Sequence, residues 1–144
     1  MIHQETPAMT TARMRKVRRR DTPAELVIRR HLTHLGLRYR VDVEPWPGFR
    51  RRADIVFRRE RIAIFVDGCF WHGCPLHYVS PKRNGDWWRS KITSNVRKDG
   101  EVAASLTTNG WSCLRFWTHS DMDDAAQDIA RRVKSVHRTV AVKV

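Results

Sequence analysis

The sequence contains no apolar run that approaches the length of a membrane-spanning helix, and residues 1–10 lack the apolar segment of a signal peptide. Acidic residues are few: 15 Asp and Glu stand against 28 Lys and Arg, and the formal net charge is +13. We therefore expect a cytoplasmic protein with no membrane-spanning segment. A charge excess of this size indicates a polyanionic partner, with nucleic acid as the first candidate and an acidic membrane surface as the second.

Cysteine is also scarce, with three residues among 144, and an odd number cannot pair completely within one chain. A reducing compartment with metal ligation fits this content better than a disulfide framework. Cys69, Cys74 and His77 form a C-x4-C-x2-H pattern, which suits a closed, structural zinc site. For the fourth ligand we favour His119, which follows a predicted strand, over Cys113, which lies inside it as a small buried side chain.

The hydrophobic pattern predicts one packed domain, because the hydrophobic fraction is 41% and six residues are Trp. We expect a basic, partly disordered arm at 1–20, a globular domain at 21–138 and a tail at 139–144. Apolar periodicity and turn residues predict the order α-β-β-β-α-β-α, an α/β fold with a mixed central sheet flanked by helices. The predicted elements are a helix from 22 to 35, strands at 37–43, 53–57 and 62–66, a helix at 86–108, a strand at 111–117 and a helix spanning 122–136.

The predicted arm carries a dense basic run, whose members are Arg13, Arg15, Lys16, Arg18, Arg19 and Arg20. Such a run is either a solvated tail or a segment that lies along phosphates or in a minor groove. The net charge of the whole chain favours the second interpretation.

Two acidic residues stand at the ends of predicted strands that are otherwise apolar. Asp54 opens one strand and Asp67 ends its neighbour, so their carboxylates and nearby carbonyls form an oxygen-rich pocket suited to Mg²⁺. An Asp at a strand end is also a common turn residue. His72 lies outside any apolar stripe. It is either a general base beside Mg²⁺, which Asp99 on the following helix could orient, or a zinc ligand.

The aromatic residues around the Cys and His loop have two interpretations. Phe70 and Trp71 lie within the loop, and Trp87 and Trp88 open the next helix. They are either exposed wedges that enter a base stack, or core residues, as the helical spacing of Trp88 and Ile92 would suggest.

These residues together resemble the very short patch repair (Vsr) family of DNA mismatch endonucleases. The central match is the segment DGCFWHGCPLH at residues 67–77, preceded by Phe65 and Val66, and a motif of this length is far more specific than a single spacing. Further matches fall in order between residues 13 and 120: Met14, Arg15, Arg20, Asp21, Thr22, Glu25, Pro47, Gly48, Ala53, Asp54, Trp88, Lys91, Asn95, Asp99, Gly110, Trp111 and Trp117.

The resemblance implies a restriction-endonuclease-like core and Mg²⁺-dependent nicking on the 5′ side of the T in a T:G mismatch, the product of 5-methylcytosine deamination. It implies that the protein is a monomer whose partner is double-stranded DNA with a mismatch. It also implies a functional link to a cytosine-5 DNA methyltransferase, with mismatch-repair proteins as candidate partners. The resemblance assigns Mg²⁺ to Asp54 and the Val66 carbonyl, with Asp67 as a further candidate ligand, and it assigns catalysis to Asp54, His72, Asp99 and Glu25. It assigns a structural zinc ion to Cys69, Cys74, His77 and His119. It assigns the wedge that enters the base stack to Phe70, Trp71 and Trp88.

Two other functions share parts of this pattern. A nuclease of the same fold without mismatch preference would use the same catalytic residues. A non-catalytic, zinc-stabilised DNA-binding module would leave the joint presence of Asp54, His72 and Asp99 unexplained.

Overall fold

The computed structural model describes residues 21–68, 72–75, 79 and 81–142, with side chains described to residue 138. The basic arm at 1–20 and the residues Cys69, Phe70, Trp71 and His77 therefore lie outside the described residues. The predicted order α-β-β-β-α-β-α is confirmed over the described part of the chain. Its elements are α1 (Pro23–His34), β1 (Arg40–Val43), β2 (Ala53–Phe57), β3 (Ile62–Asp67), α2 (Gly85–Thr108), β4 (Ser112–Trp117) and α3 (Met122–Val142).

The four strands form one mixed sheet, as the sequence predicts, and they lie in it in the order β1-β2-β3-β4. The pairs β1–β2 and β2–β3 are antiparallel, and β3–β4 is parallel in a register that joins Ile62 to Ser112 and Asp67 to Trp117. A parallel pair needs a crossover connection, which the segment containing α2 provides. The carboxyl ends of β3 and β4 therefore lie side by side.

Helix α1 begins where its sequence predicts. Thr22 is the N-cap, with its hydroxyl accepting the Glu25 N–H at 3.3 Å, and Pro23 occupies the first helical turn. The Glu25 carboxylate returns to the Asp21 N–H at 2.9 Å, one residue earlier than a standard capping box. These hydrogen bonds hold the carboxylate of Glu25 at the start of the helix, where the residue is 1% exposed.

The helices lie on two faces of the sheet. One core contains α1, α3 and one face of β2 and β3, and its buried members include Ile28, Leu32, Ile55, Phe57, Ile64, Ile129 and Val133. The other core joins α2 to the opposite face and includes Phe49, Ala53, Val56, Ala63, Phe65 and Leu106. Within the described residues no helix is both long enough and apolar enough to cross a bilayer.

Two predicted boundaries differ from the structure. The strand expected at 37–43 begins only at Arg40, since Leu37 and Tyr39 pack against the first core without joining the ladder. The alternation of apolar residues there reports burial and not hydrogen bonding. Helix α3 extends to Val142, so most of the segment expected to be a tail at 139–144 is helical.

Candidate active site

The side chain of Asp54 adds a hydrogen bond beyond the end of the β2–β3 ladder. The ladder runs from Phe57 and Ile62 to Ile55 and Ile64. Beyond it, Oδ2 of Asp54 accepts the main-chain N–H of Val66 at 2.7 Å. A carboxylate thus takes the place of a main-chain acceptor, which fixes Asp54 beside Val66 near the carboxyl end of β3.

The electrostatic surroundings of Asp54 favour a bound cation. Burial raises the pKa of Asp54 to about 7; the Val66 N–H opposes this, and the negative charges of Glu25, Asp67 and Asp42 raise the pKa further. Burial likewise raises the pKa of Glu25, although Arg29 pairs with its carboxylate at 3.0 Å. Oxygen ligands with surplus negative charge form a chemically suitable site for a hard divalent cation such as Mg²⁺.

His72 and Asp99 meet at the same end of the sheet. The Nδ1 atom of His72 lies 2.5 Å from Oδ2 of Asp99, a residue of α2 that is 8% exposed. Burial alone would raise the pKa of Asp99, but the hydrogen bond and charge of His72 and the charges of Arg115 and Arg51 lower it. An ionised Asp99 accepts a hydrogen bond from the Nδ1–H group of His72 and leaves Nε2 of His72 available to a reacting group.

A glycine allows the His72 loop to approach α2. Gly73 has φ +62°, and a Cβ placed there would lie 2.8 Å from Cγ2 of Ile92. A side chain at this position would therefore be strained and would push the loop away from the helix. The close approach brings His72 within reach of Asp99.

Two arginines that sequence reasoning missed complete the site. Arg51 donates from Nη1 and Nη2 to Oδ1 of Asp99, both at 3.1 Å. Arg115 donates from Nη1 to both carboxylate oxygens of Asp67, at 3.1 and 3.0 Å. Arg115 could have been found from the sequence, because a charged residue within the strand Ser112–Trp117 needs a partner for the same reason as Asp54.

Asp67, His72 and Asp99 form a group that we call the acid–histidine cluster. One potential ligand atom from each lies within 4.8 Å of the other two, so the cluster could hold a metal ion. Asp54 is outside this group. The described residues therefore offer one cluster with metal-ligand spacing, the acid–histidine cluster, and one buried carboxylate, Asp54, that lies under the negative charge of Glu25 and Asp67.

Two of the four predicted zinc ligands lie close together. The Sγ atom of Cys74, which is 1% exposed, lies 4.0 Å from Nδ1 of His119. Thiolate and imidazole atoms at this separation can share one tetrahedral zinc ion. The other two ligands, Cys69 and His77, lie outside the described residues, so the zinc loop stays a prediction. Cys113 lies in β4 opposite Ala63 and packs against the second core, as expected of a small apolar side chain.

The two tryptophans at the start of α2 differ in exposure. Trp88 is 1% exposed, whereas Trp87 is 55% exposed and meets it edge-on with ring centroids 4.7 Å apart. In this structure helical spacing places Trp88 with Ile92 in the interior, so the wedge role of Trp88 stays a prediction. The other two predicted wedge residues, Phe70 and Trp71, lie outside the described residues.

Comparison with known proteins gives consistent results. Residues 3–77 match the family described as DNA mismatch endonuclease Vsr. The type II nicking enzyme V.NaeI of Lentzea aerocolonigenes is 40% identical over 126 residues, which is 86% of this chain and 74% of that protein. The type II nicking enzyme V.HpaIIP of Haemophilus parainfluenzae is 41% identical over 100 residues, 68% of this chain and 69% of its own length.

A third relative carries the family's own name. The DNA mismatch endonuclease Vsr of Escherichia coli strain K12 is 37% identical over 112 residues, 76% of this chain and 69% of that protein. The mixed α/β fold, with acidic residues and a histidine gathered at one end of its sheet, fits an endonuclease. The family match spans more than half of the chain, and this protein belongs to the Vsr family of DNA mismatch endonucleases.

Proposed function

We propose that this protein nicks one strand of duplex DNA on the 5′ side of the T in a T:G mismatch, by Mg²⁺-dependent hydrolysis of one phosphodiester bond. The observation that carries the proposal is the contrast between two neighbouring sites. Asp54 is surrounded by negative charge and suits a cation, whereas the adjacent His72–Asp99 pair suits the transfer of a proton. The names of the relatives, nicking enzymes and a mismatch endonuclease, agree with this reaction.

Asp54 and the main-chain carbonyl of Val66 would hold the Mg²⁺ ion. The fit rests on the buried carboxylate of Asp54, whose charged neighbours include the acids Glu25 and Asp67. Bound Mg²⁺ would stabilise the negative charge that accumulates on the phosphate and on the departing 3′ oxygen. Glu25 would accept hydrogen bonds from the water molecules around this site.

His72 would act as the general base. A water oxygen attacks phosphorus, its proton passes to Nε2 of His72, and the bond between phosphorus and the 3′ oxygen breaks. The departing 3′ oxygen takes a proton from solvent water, so the products are a 3′ hydroxyl and a 5′ phosphate. Asp99 would hold the imidazole through Nδ1 and stabilise the imidazolium that forms.

Recognition of the mismatch would depend on residues outside the described part of the chain. The basic arm at 1–20 would follow the phosphate backbone, and its contribution to affinity would weaken as salt rises. Phe70 and Trp71 would enter the base stack, which is easier at a mismatched step because less stacking is lost. Zinc bound by Cys69, Cys74, His77 and His119 would hold the loop that carries them.

The proposal also covers the origin of the substrate and the oligomeric state of the enzyme. Deamination of 5-methylcytosine generates T:G mismatches, so the enzyme would act in a cell that contains a cytosine-5 DNA methyltransferase. We propose that the protein cuts as a monomer, with mismatch-repair proteins as its partners in the subsequent repair.

The decisive experiment uses two duplexes that differ only in one T:G or C:G pair. With Mg²⁺ we expect nicking of the T:G duplex alone, with the break 5′ of the T. His72→Ala should lose at least about 100-fold in rate, while the exposed His34→Ala should cut like the parent protein. Equal cutting of both duplexes would indicate a nuclease without mismatch preference, and binding without cutting would indicate a non-catalytic module.

A further inference from the structure

Arg115 contacts both acidic members of the acid–histidine cluster. Its Nη1 atom donates to the two carboxylate oxygens of Asp67, at 3.1 and 3.0 Å, and lies 3.8 Å from Oδ1 of Asp99. Its Nη2 atom donates to the main-chain carbonyl of Asp99 at 3.4 Å. A single guanidinium thus links the end of β3 to the middle of α2.

The sheet fixes the position of this guanidinium. Arg115 is the register partner of Phe65 in the parallel β3–β4 ladder, and its Cζ atom lies 4.3 Å from the centre of the Phe65 ring. Stacking on an aromatic face and forked hydrogen bonds are interactions that arginine makes and lysine does not reproduce. Arg115 is therefore held on one side by an aromatic ring and on the other by two acidic residues.

The charges of the acid–histidine cluster are consequently balanced without a metal ion. The side chains of Asp67 and Asp99 are 8% and 11% exposed, and each is paired with an arginine, Asp67 with Arg115 and Asp99 with Arg51. A divalent cation bound between these carboxylates would lie next to two guanidinium groups and would have to displace their hydrogen bonds. The ion pairs therefore oppose metal binding at a group whose ligand atoms are otherwise well placed for it.

Asp54 differs from the acid–histidine cluster in how its negative charge is compensated. Among the described residues the Asp54 carboxylate forms no ion pair with a basic side chain. The strongest charges acting on it are those of the acids Glu25, Asp67 and Asp42, which are themselves paired with arginines. The His72 Nε2 atom, by comparison, lies 3.7 Å from Oδ1 of Asp67, which would compete for a proton or a cation if it had no partner. The two sites differ in charge compensation more than in the number of acidic ligands.

We propose that Arg115 is a positioning residue of the hydrolytic site: it holds Asp67 and Asp99 in ion pairs, keeps divalent cations out of the acid–histidine cluster, and leaves His72 for proton transfer. The part that concerns proton transfer rests on the proposed function. The part that concerns metal exclusion does not, and it can be tested without DNA.

The catalytic test compares a variant that removes the charge of Arg115 with one that removes the charges of both Arg115 and Asp67. Arg115→Met leaves Asp67 buried without its partner, and we expect single-turnover nicking of the T:G duplex to fall about 100-fold. The double variant Asp67→Asn/Arg115→Met removes both charges and should recover at least about tenfold of that loss. Arg115→Lys keeps the charge but loses the forked hydrogen bonds and the stacking, so its nicking rate should lie between those of the parent protein and Arg115→Met.

A matched control is Arg131→Met. Arg131 is an exposed arginine of α3 that pairs with Asp128 on the same helix, and its loss should leave the nicking rate unchanged. Circular dichroism would establish that each variant is folded. A fully active Arg115→Met protein, or a folded double variant no faster than Arg115→Met, would overturn the proposal.

The metal test uses Mn²⁺ as a spectroscopic probe on the zinc-loaded protein without DNA. Titration followed by electron paramagnetic resonance should show that Arg115→Met binds one more Mn²⁺ ion than the parent protein, and that Asp67→Asn/Arg115→Met does not. If Asp67→Asn alone removes a Mn²⁺ ion from the parent protein, the cluster already binds metal and the proposal is wrong. A protein that fails to nick T:G duplexes but gains the extra Mn²⁺ ion would contradict the proposed function and retain the metal-exclusion role of Arg115.

Discussion

The imidazole Nδ1 of His72 lies 2.5 Å from the Oδ2 atom of Asp99, although 27 residues separate the two along the chain. Helix α2 carries Asp99 across the face of the sheet to the loop that follows β3, and Gly73 lets that loop approach the helix. This contact sets the tautomer of His72, because a carboxylate on Nδ1 leaves Nε2 as the free basic atom.

The contact predicts the effect of Asp99→Asn. The amide cannot stabilise the imidazolium that forms on proton transfer, so we expect the single-turnover nicking rate to fall by about 10²–10⁴. Affinity for the T:G duplex should change little, since Asp99 does not bind DNA in this account. Glu101→Gln, an exposed acid on the same helix, is the control. An Asp99→Asn enzyme with full activity would show that His72 needs no orienting carboxylate.

Asp54→Asn is expected to stabilise the protein in the absence of Mg²⁺. The pKa of Asp54 is raised from its ordinary 3.8 to about 7, chiefly by burial. Between these values the folded state binds more protons than the unfolded state. The contribution of Asp54 to stability is therefore fully present below about pH 4 and is lost as pH rises through about 7.

Thermal unfolding of zinc-loaded protein tests this expectation. At pH 8 without Mg²⁺, Asp54→Asn should melt at least about 3 °C above the parent protein, and the gap should narrow at pH 5.5. Addition of Mg²⁺ should raise the Tm of the parent protein alone. If the variant melts lower than the parent at both pH values, Asp54 is not a site of uncompensated negative charge.

The proposed zinc site predicts different outcomes for two cysteines. Cys74→Ser removes a ligand, and we expect the zinc content to fall from one ion per chain and the protein to lose about 3 kcal/mol or more of stability. Cys113→Ser should retain its zinc, because Cys113 packs in the second core. Elemental analysis of the two purified variants measures the difference. An active Cys74→Ser enzyme with no bound zinc would refute the site.

The neighbouring tryptophans of α2 predict effects on stability that differ in size. Trp88→Ala should cost about 3–5 kcal/mol, because it empties a fully buried volume. Trp87→Ala should change stability by less than about 0.5 kcal/mol, since Trp87 is half exposed. Chemical denaturation of both variants gives the comparison. Equal losses would show that Trp88 is not held in the interior of the free protein.

The sequence predicted the order of the elements and the mixed sheet, because each element carries a strong local pattern. The strand 53–57 and the strand 62–67 are nearly all buried, and Thr22 and Pro23 specify the start of α1. Local patterns do not specify which side chains meet across the fold. For this reason the prediction included Asp67 and Asp99 but lacked their arginine partners, Arg115 and Arg51.

A charged residue inside a strand indicates that Arg115 has a partner, but the sequence could not show which residue that partner is. Its acidic partner Asp67 lies 48 residues away, and their ion pair depends on the parallel register of β3 and β4. Trp88 gives the complementary case, since the family resemblance placed it in the wedge and its spacing with Ile92 placed it in the core. In this structure burial agrees with the spacing.

The most direct test of the account is the rate of nicking of a T:G duplex in Mg²⁺ by two aspartate variants, Asp54→Asn and Asp67→Asn, under single-turnover conditions. If Asp54 holds the catalytic ion and Arg115 neutralises Asp67, then Asp54→Asn should lose at least about 10³-fold and Asp67→Asn no more than about tenfold. The reverse order, with Asp54→Asn active and Asp67→Asn inactive, would place the metal in the acid–histidine cluster and contradict the account.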